Sequence, residues 1–342
     1  MNTGVLLINL GTPDSPSVKD VRKYLFEFLS DPKVMDIGWL KRKLLVNLII
    51  VPSRAPKSAK IYQELWTEKG SPLLYHGKKA KEKLQESLGK NFHVELAMRY
   101  QNPSLKSVLG KMEKMNFSKL IVLPLFPQYA DASTGSAIEK AMSIINKWKE
   151  IPEIKIIEKF YDDDGFINAF AEKGRQHDLS EYDHVLFSFH GLPVRQINKG
   201  HKNGNCETHC CKTEINSGNK LCYLAGSYVT ARSIAEKLGI SKKKYTVCFQ
   251  SRLGNDPWIE PFSDVVIEQL AKNGIKKLLV FSPAFVADCL ETTIEIAQEY
   301  KDLFIENGGE KLQLVESLND HPMWIDALVN LVKSTSIVAH NP

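Results

Sequence analysis

Hydrophobic residues fall in eight short runs, at 5–10, 94–98, 120–123 and 154–157, then at 185–189, 245–249, 278–281 and 312–315. The run leading to His190 is continuously apolar but for Ser188, as a strand buried on both faces of a parallel sheet is. Longer stretches with helical spacing separate the runs, which predicts βαβ units. The two sets of four match in detail. Leu10-Gly11-Thr12-Pro13 stands where His190-Gly191-Leu192-Pro193 stands, and Arg99-Tyr100-Gln101 falls near Gln250-Ser251-Arg252. Lys119-Leu120-Ile121-Val122 parallels Lys277-Leu278-Leu279-Val280, and both third strands lead to Ala-Asp, at Ala130-Asp131 and Ala287-Asp288. The expectation is an α/β chain of two similar doubly wound domains, each with a four-stranded parallel sheet flanked by helices. The polar turn at 161–165 sets the boundary, giving 1–163, 164–318 and a helical extension at 319–342 that could pack on either half.

Bulk properties narrow the class. The 342 residues exceed what one core usually serves. Hydrophobic content of 43% and charged content of 25% are those of a soluble globular chain. A net charge of +5 without a basic, aromatic-interleaved stripe argues against nucleic acid as a partner. The start, Met1-Asn2-Thr3-Gly4, has no secretory pattern, so a cytoplasmic protein is expected. No run of 18 uncharged apolar residues exists to span a bilayer. The stretch 37–52 is nonetheless strongly apolar, with a basic Lys41-Arg42-Lys43 and a tryptophan, Trp39. It suits an element lying in a membrane surface or lining an apolar pocket mouth, and equally a helix buried between domains.

The candidate chemistry sits at strand ends. His190 closes the run 185–189, at the carboxyl edge where open α/β sheets hold ligands. An imidazole there takes a proton near neutral pH or binds a borderline metal, unless it only caps the turn. After the seventh strand, Asp288, Glu291 and Glu295 are spaced i, i+3, i+7, one face of a helix. Helix capping accounts for Asp288 and in part Glu291, but not for Glu295. A file of three carboxylates is suited to conduct protons or a divalent cation. His190 and Glu291 lack the further ligands of a zinc hydrolase; they fit transient Fe²⁺ binding.

The chain resembles the ferrochelatases, which insert ferrous iron into a porphyrin in haem synthesis. The motifs that carry the resemblance run along nearly the whole length: 7–13, Gly70-Ser71-Pro72-Leu73, Met98-Arg99-Tyr100, Pro127-Gln128-Tyr129 with Ser133-Thr134-Gly135-Ser136, Ser188-Phe189-His190-Gly191-Leu192-Pro193, Phe249-Gln250-Ser251-Arg252 with Pro257-Trp258, and Leu290-Glu291-Thr292. The resemblance implies His190 as pyrrole proton acceptor or iron ligand, with Glu291 its partner carboxylate. It implies Asp288 and Glu295 as a proton or metal relay, and Arg99 and Tyr100 as a pair on the opposite side, linked to iron delivery. Trp258 would wall the ring, and Arg54 and Ser71 would hold propionates, an arginine fork suiting a carboxylate. An apolar lip at 37–51 implies protoporphyrin IX as substrate and peripheral contact with the inner membrane face; coproporphyrin III types have a shorter, more polar segment. Two other readings stay open: a chelatase for another divalent metal or tetrapyrrole, and a porphyrin or haem carrier without turnover.

Six cysteines are present, and Cys206, Cys210, Cys211 and Cys222 fall within 17 residues on a Gly/Asn-rich stretch. In a cytoplasmic chain this spacing suggests a [2Fe–2S] centre, with zinc, recruiting His201 or His209, and reduced thiols without a ligand as the competing readings. The resemblance does not supply the ligands directly. Asp131 stands where some ferrochelatases have a first cysteine, and the tail has none. Cys248 reads as core, and Cys289 lies beside the acidic face. Oligomeric state is not legible.

Overall fold

The structure is a computed structural model and describes residues 2–199, 215–252 and 256–335. It contains two four-stranded sheets of identical order. In the first, β1 (Thr3–Gly11) is central, flanked by β2 (Phe92–Tyr100) and β3 (Lys119–Pro124), with β4 (Glu153–Ile156) outside β3. All pairs are parallel, with Val5 opposite both Val94 and Ile121. In the second, β5 (His184–His190) is central between β6 (Tyr245–Gln250) and β7 (Lys277–Phe281), with β8 (Lys311–Leu314) at the edge.

Helices cover both faces, which is why the central strands carry no polar alternation: Val5, Leu6, Leu7 and Ile8 are all 0% exposed. One face of the first sheet packs Leu6, Ile8 and Leu120 against Leu109, Ala137 and Ile145. The second packs Leu186, Leu278 and Val280 against Ile267, Ile296 and Phe304. Polar side chains start several helices. Ser17, Ser104 and Asp163 accept N–H groups from Asp20, Ser107 and Phe166, meeting orphan donors of the first turn.

The repeat extends beyond the sheets. Met98 N–H donates to Pro103 O (2.7 Å), and Phe249 N–H to Pro261 O (2.9 Å), each closing the turn after the second strand. In both turns a non-glycine residue adopts a left-handed conformation, Gln101 at φ 63° and Ser251 at φ 64°. Such a residue costs about 1 kcal/mol or more and persists only where its surroundings hold it. A carboxylate does so each time. Glu27 accepts from the Gln101 N–H (2.9 Å) and side-chain amide (2.6 Å), and Glu295 holds Ser251. Each third strand is followed by a π-helix, Asp131–Gly135 and Glu291–Tyr300.

The chain forms two compact units that are not simple halves. The first comprises the described residues up to Phe126, Asp131–Glu158 and those from Asn319 on; the second comprises Pro127–Ala130 and Lys159–Leu318. Pro127–Ala130 is tied into the second by Phe160 N–H to Pro127 O (3.0 Å) and Gln128 Nε2–H to Thr230 Oγ1 (3.1 Å). The last helix, Pro322–Ser334, belongs to the first unit. It buries Trp324, Ile325 and Leu328, while Lys83 on the helix Pro72–Leu88 donates to the Asp320 carbonyl (2.8 Å) and carboxylate (2.5 Å).

Candidate active site

His190 is the last residue of β5, at the carboxyl edge of the second sheet. Its Nδ1 lies 2.6 Å from the Gly191 carbonyl oxygen. A carbonyl only accepts, so Nδ1 carries the hydrogen and Nε2 keeps a lone pair. The imidazole is therefore set to take a proton or donate to a metal through Nε2. The Tyr223 hydroxyl donates to His190 O (2.8 Å), and Phe285 packs edge-on to the ring, with centroids 6.4 Å apart. Burial pushes the Tyr223 phenol well above its ordinary value, so it stays a donor. Behind His190, Gly191 N–H donates to Gln250 O (2.8 Å), and Val194 and Ile259 bond across to Pro257 and Leu192. This small ladder, with Pro193 bridged to Trp258, places the half-buried Trp258 beside the turn.

The acidic residues differ from the expected helix face. Asp288 lies in irregular chain before the helix, and the segment from Glu291 to Tyr300 is a π-helix, not an α-helix. With i→i+5 hydrogen bonds and a wider turn, Glu291 and Glu295 still fall near one side. Glu295 is fully engaged. Its Oε1 accepts Ser251 N–H (3.0 Å) and Tyr300 O–H (2.9 Å); its Oε2 accepts Ser251 O–H (2.5 Å) and Gln250 Nε2–H (3.1 Å). Burial first, and then the Glu295 charge, push the Tyr300 phenol far up and keep it protonated. Asp288 Oδ1 accepts the Ser317 N–H (3.2 Å). Cys289 is buried, and burial, then Glu291, raise its thiol well above the ordinary value. Cys248 is a core residue with its thiol pushed up to about 12 by burial.

Gln250 and Tyr300 did not figure among the sequence candidates. The Phe249-Gln250-Ser251-Arg252 motif was the signal for the first; nothing local marked the second.

At the corresponding edge of the first sheet stands another buried network. Arg99 and Tyr100 end β2, and both meet Asp31, which follows the helix Val18–Ser30. Asp31 Oδ2 accepts from Arg99 Nη2, Tyr100 O–H (2.8 Å) and Ser136 O–H (2.5 Å). Its Oδ1 accepts the Lys33 N–H (2.8 Å), and Arg99 Nε reaches Ser136 Oγ (2.7 Å). Burial opposes ionisation of Asp31, but the Ser136 hydroxyl, the Lys33 N–H, the Arg99 charge and the Tyr100 hydroxyl together outweigh it, and the carboxyl is held below its ordinary value. Sequence reading picked out Arg99 and Tyr100 and missed Asp31, one of 40 acids with no motif around it. Elsewhere in this unit, Ser71 is 4% exposed at the start of the 17-residue helix Pro72–Leu88, and its hydroxyl does not cap that helix. Arg54 is half-buried on the helix Val51–Leu65.

The stretch 37–52 is helical from Trp39 on. Trp39–Leu45 runs through a π-turn, Val46–Ile50, into Val51–Leu65. Val46, Val51 and, in part, Ile50 pack on Leu29, but several apolar side chains face out: Trp39 is 66% exposed, Leu48 69% and Ile49 60%. Leu40 and Leu44 are more than half exposed too. Among the described residues no helix is long and apolar enough to cross a membrane.

Cys206, Cys210 and Cys211 lie outside the described residues, as do His201 and His209; Cys222 is buried and precedes the helix Tyr223–Lys237. The described residues contain no group of three or more His, Cys, Asp or Glu arranged to hold a metal.

Two solved structures of SirB share the fold. SirB from Bacillus subtilis with Fe³⁺ matches at TM-score 0.53 and 12% identity, over 98% of this chain and 96% of that one. The sirohydrochlorin chelatase SirB of Bacillus subtilis subspecies spizizenii, in complex with cobalt, matches at 0.52 and 11%, over 98% and 95%. At such identities the likeness establishes a chelatase fold. Sequence is more specific: the family model Ferrochelatase matches residues 2–336. The ferrochelatase of Legionella pneumophila (strain Paris) is 45% identical, over 97% of this chain and 99% of its own length. That of Coxiella burnetii is 43% identical, over 97% and 93%. The chain belongs to the ferrochelatase family. As a member it is a lyase of haem synthesis, with Fe²⁺ as a substrate.

Two outcomes are expected. A Cβ on Gly191 would lie 2.7 Å from Gln250 O and 3.2 Å from the Trp258 ring. Gly191→Ala should displace the turn behind His190 and lower metallation at least about tenfold in steady-state assay. Asp31→Asn leaves the Arg99 charge without its partner. It should cost about 3 kcal/mol at pH 7 in urea unfolding. The Asp31 contribution is fully present above its unfolded value of about 3.9 and is lost as pH falls through the lower folded value, so the gap between variant and parent should narrow in acid. A gap independent of pH would contradict the assignment.

Proposed function

We propose that this enzyme inserts Fe²⁺ into protoporphyrin IX, with His190 as the proton acceptor and Glu291 as its carboxylate partner. The observation that carries the reading is the His190 imidazole, whose Nδ1–H is spent on Gly191 O and whose Nε2 retains its lone pair at the sheet edge where the Glu291 helix begins. The macrocycle loses two N–H protons as the metal forms bonds to its four nitrogens, and two protons leave for each haem made. His190 Nε2 accepts the first and passes it to Glu291, which frees the lone pair for the second. Asp288, in the chain leading to Glu291, is the proposed next acceptor toward solvent. Glu295, with every donor around it turned inward, supports the site as an anchor. Arg54 and Ser71 are proposed to hold propionates: the Ser71 hydroxyl is not used on its own helix, and a helix N-terminus favours carboxylate. Arg99 and Tyr100, fixed by Asp31, are proposed to face iron on its way in. Trp258 offers a flat apolar wall.

The choice of protoporphyrin, with two carboxylates instead of four, is supported by the exposed apolar face at 39–49. The same face is proposed to rest on the inner membrane surface. Trp39 lies under the Lys43 ammonium (5.4 Å), and Lys41 and Lys43 suit anionic headgroups at about 1 kcal/mol each. Arg42 is spent on the Met35 and Ile37 carbonyls instead. For Cys206, Cys210, Cys211 and Cys222 a [2Fe–2S] centre is proposed on their spacing. Cys222 stands where a thiolate would face the positive end of a helix dipole.

Metallation followed by absorbance should show protoporphyrin IX turned over in preference to coproporphyrin III. His190→Ala should lose at least about 100-fold in kcat, and near-parent turnover would reject the base. Leu48→Glu with Ile49→Glu should lower co-sedimentation with anionic vesicles while leaving the fold intact by circular dichroism.

A further inference from the structure

His190 ends β5 and Glu291 opens a helix after β7, so the relation between the two is set by whatever ties those ends together. We propose that Gln250 is a positioning residue for metallation, fixing His190 against the first turn of the Glu291 helix. The proposal rests on the roles given above to His190 and Glu291.

Gln250 is 1% exposed at the end of β6. It reaches both sides of His190. Its side-chain oxygen accepts the Ser188 hydroxyl (2.7 Å), two residues before the histidine, and its carbonyl accepts Gly191 N–H (2.8 Å), one residue after. Its amide nitrogen spends both hydrogens on the other segment, on Glu291 O (3.3 Å) and Glu295 Oε2 (3.1 Å). That pattern fixes the amide: turned over, its oxygen would face two acceptors. Glu295 is fixed in turn by Ser251 and Tyr300, so the acceptor that Gln250 meets does not swing away. The Ser188 hydroxyl also meets Ser263 Oγ (2.9 Å), which secures the other end.

A primary amide does not titrate at working pH and serves as neither acid nor base, so any effect of Gln250 on rate passes through the groups it holds. A misplacement of about 1 Å costs on the order of 100-fold. The pattern demands glutamine, since glutamate would set an acceptor against Glu291 O and the Glu295 carboxylate.

The test is steady-state metallation of protoporphyrin IX by Fe²⁺ with the full chain, alongside thermal melts. For Gln250→Met, which keeps length and removes the side-chain bonds, kcat should fall on the order of 10- to 100-fold with KM within about threefold. Gln250→Glu should lose more, and its activity relative to the parent should rise as pH falls, because a protonated carboxyl restores one donor. In the background of His190→Ala, Gln250→Met should cost no more than about threefold, since the group it positions is gone. A folded Gln250→Met with parent kcat, or one whose loss multiplies in full with that of His190→Ala, would overturn the proposal. If Gln250→Met does not fold, Ser188→Ala carries the same split: kcat falls with KM unchanged, and an unchanged kcat overturns it. The two readings fail separately. An active His190→Ala defeats the base assignment; an inactive one beside a fully active Gln250→Met defeats only the positioning.

Discussion

A buried amide with every hydrogen-bonding site engaged cannot move without leaving several groups unpaired, each at a cost of about 1–3 kcal/mol. Gln250 is in that position, and the carboxyl edge of the second sheet is built around it. Through Ser188 and Gly191 it holds the strand end that presents His190; through Glu291 and Glu295 it holds the wide helix that follows β7. The Glu295 carboxylate completes the arrangement by keeping Ser251 in its left-handed turn. The imidazole inherits its orientation from a backbone that has little freedom to adjust.

The first unit uses the same frame for different chemistry. Where the second places His190, the first places Leu10. Its second strand ends in Arg99 and Tyr100 instead of Phe249 and Gln250, and the carboxylate they meet comes from the loop at Asp31. The left-handed residue and its carboxylate partner recur, with Glu27 serving Gln101 as Glu295 serves Ser251. The duplicated scaffold thus preserves turn geometry while the side chains at the edge diverge: one edge offers a basic lone pair, the other a saturated ion network.

Much of this was legible. The strands left short apolar runs and the internal repeat marked two sets of four, so two parallel sheets and the strand-end place of His190 could be read directly, while the order within each sheet could not. Long-range partners could not. Asp31 binds residues 68 to 105 positions away, and no local pattern announces that. Glu291 and Glu295 were visible as acids on one side of a helix, but the start of that helix had no clear local signal, so Asp288, which lies before it, was drawn onto a face it does not share. The division at 161–165 marked a real turn, yet chain connectivity does not follow it, because Pro127–Ala130 and the final helix are assigned by packing, not by order.

That connectivity has a consequence for dissection. The backbone changes unit at 126/127, 130/131, 158/159 and 318/319. A cut before Pro127 or after Leu318 can therefore spare the second unit, but none of these four points can be cut without dividing the first. An N-terminal piece ending before Asn319 would lose the helix that carries Trp324 and the Asp320 that Lys83 meets; a C-terminal piece beginning after Ala130 would lose the strip around Gln128 that bonds Thr230. The chain is two units in space and one in the making, and synthesis must reach Asn319 before the first can close.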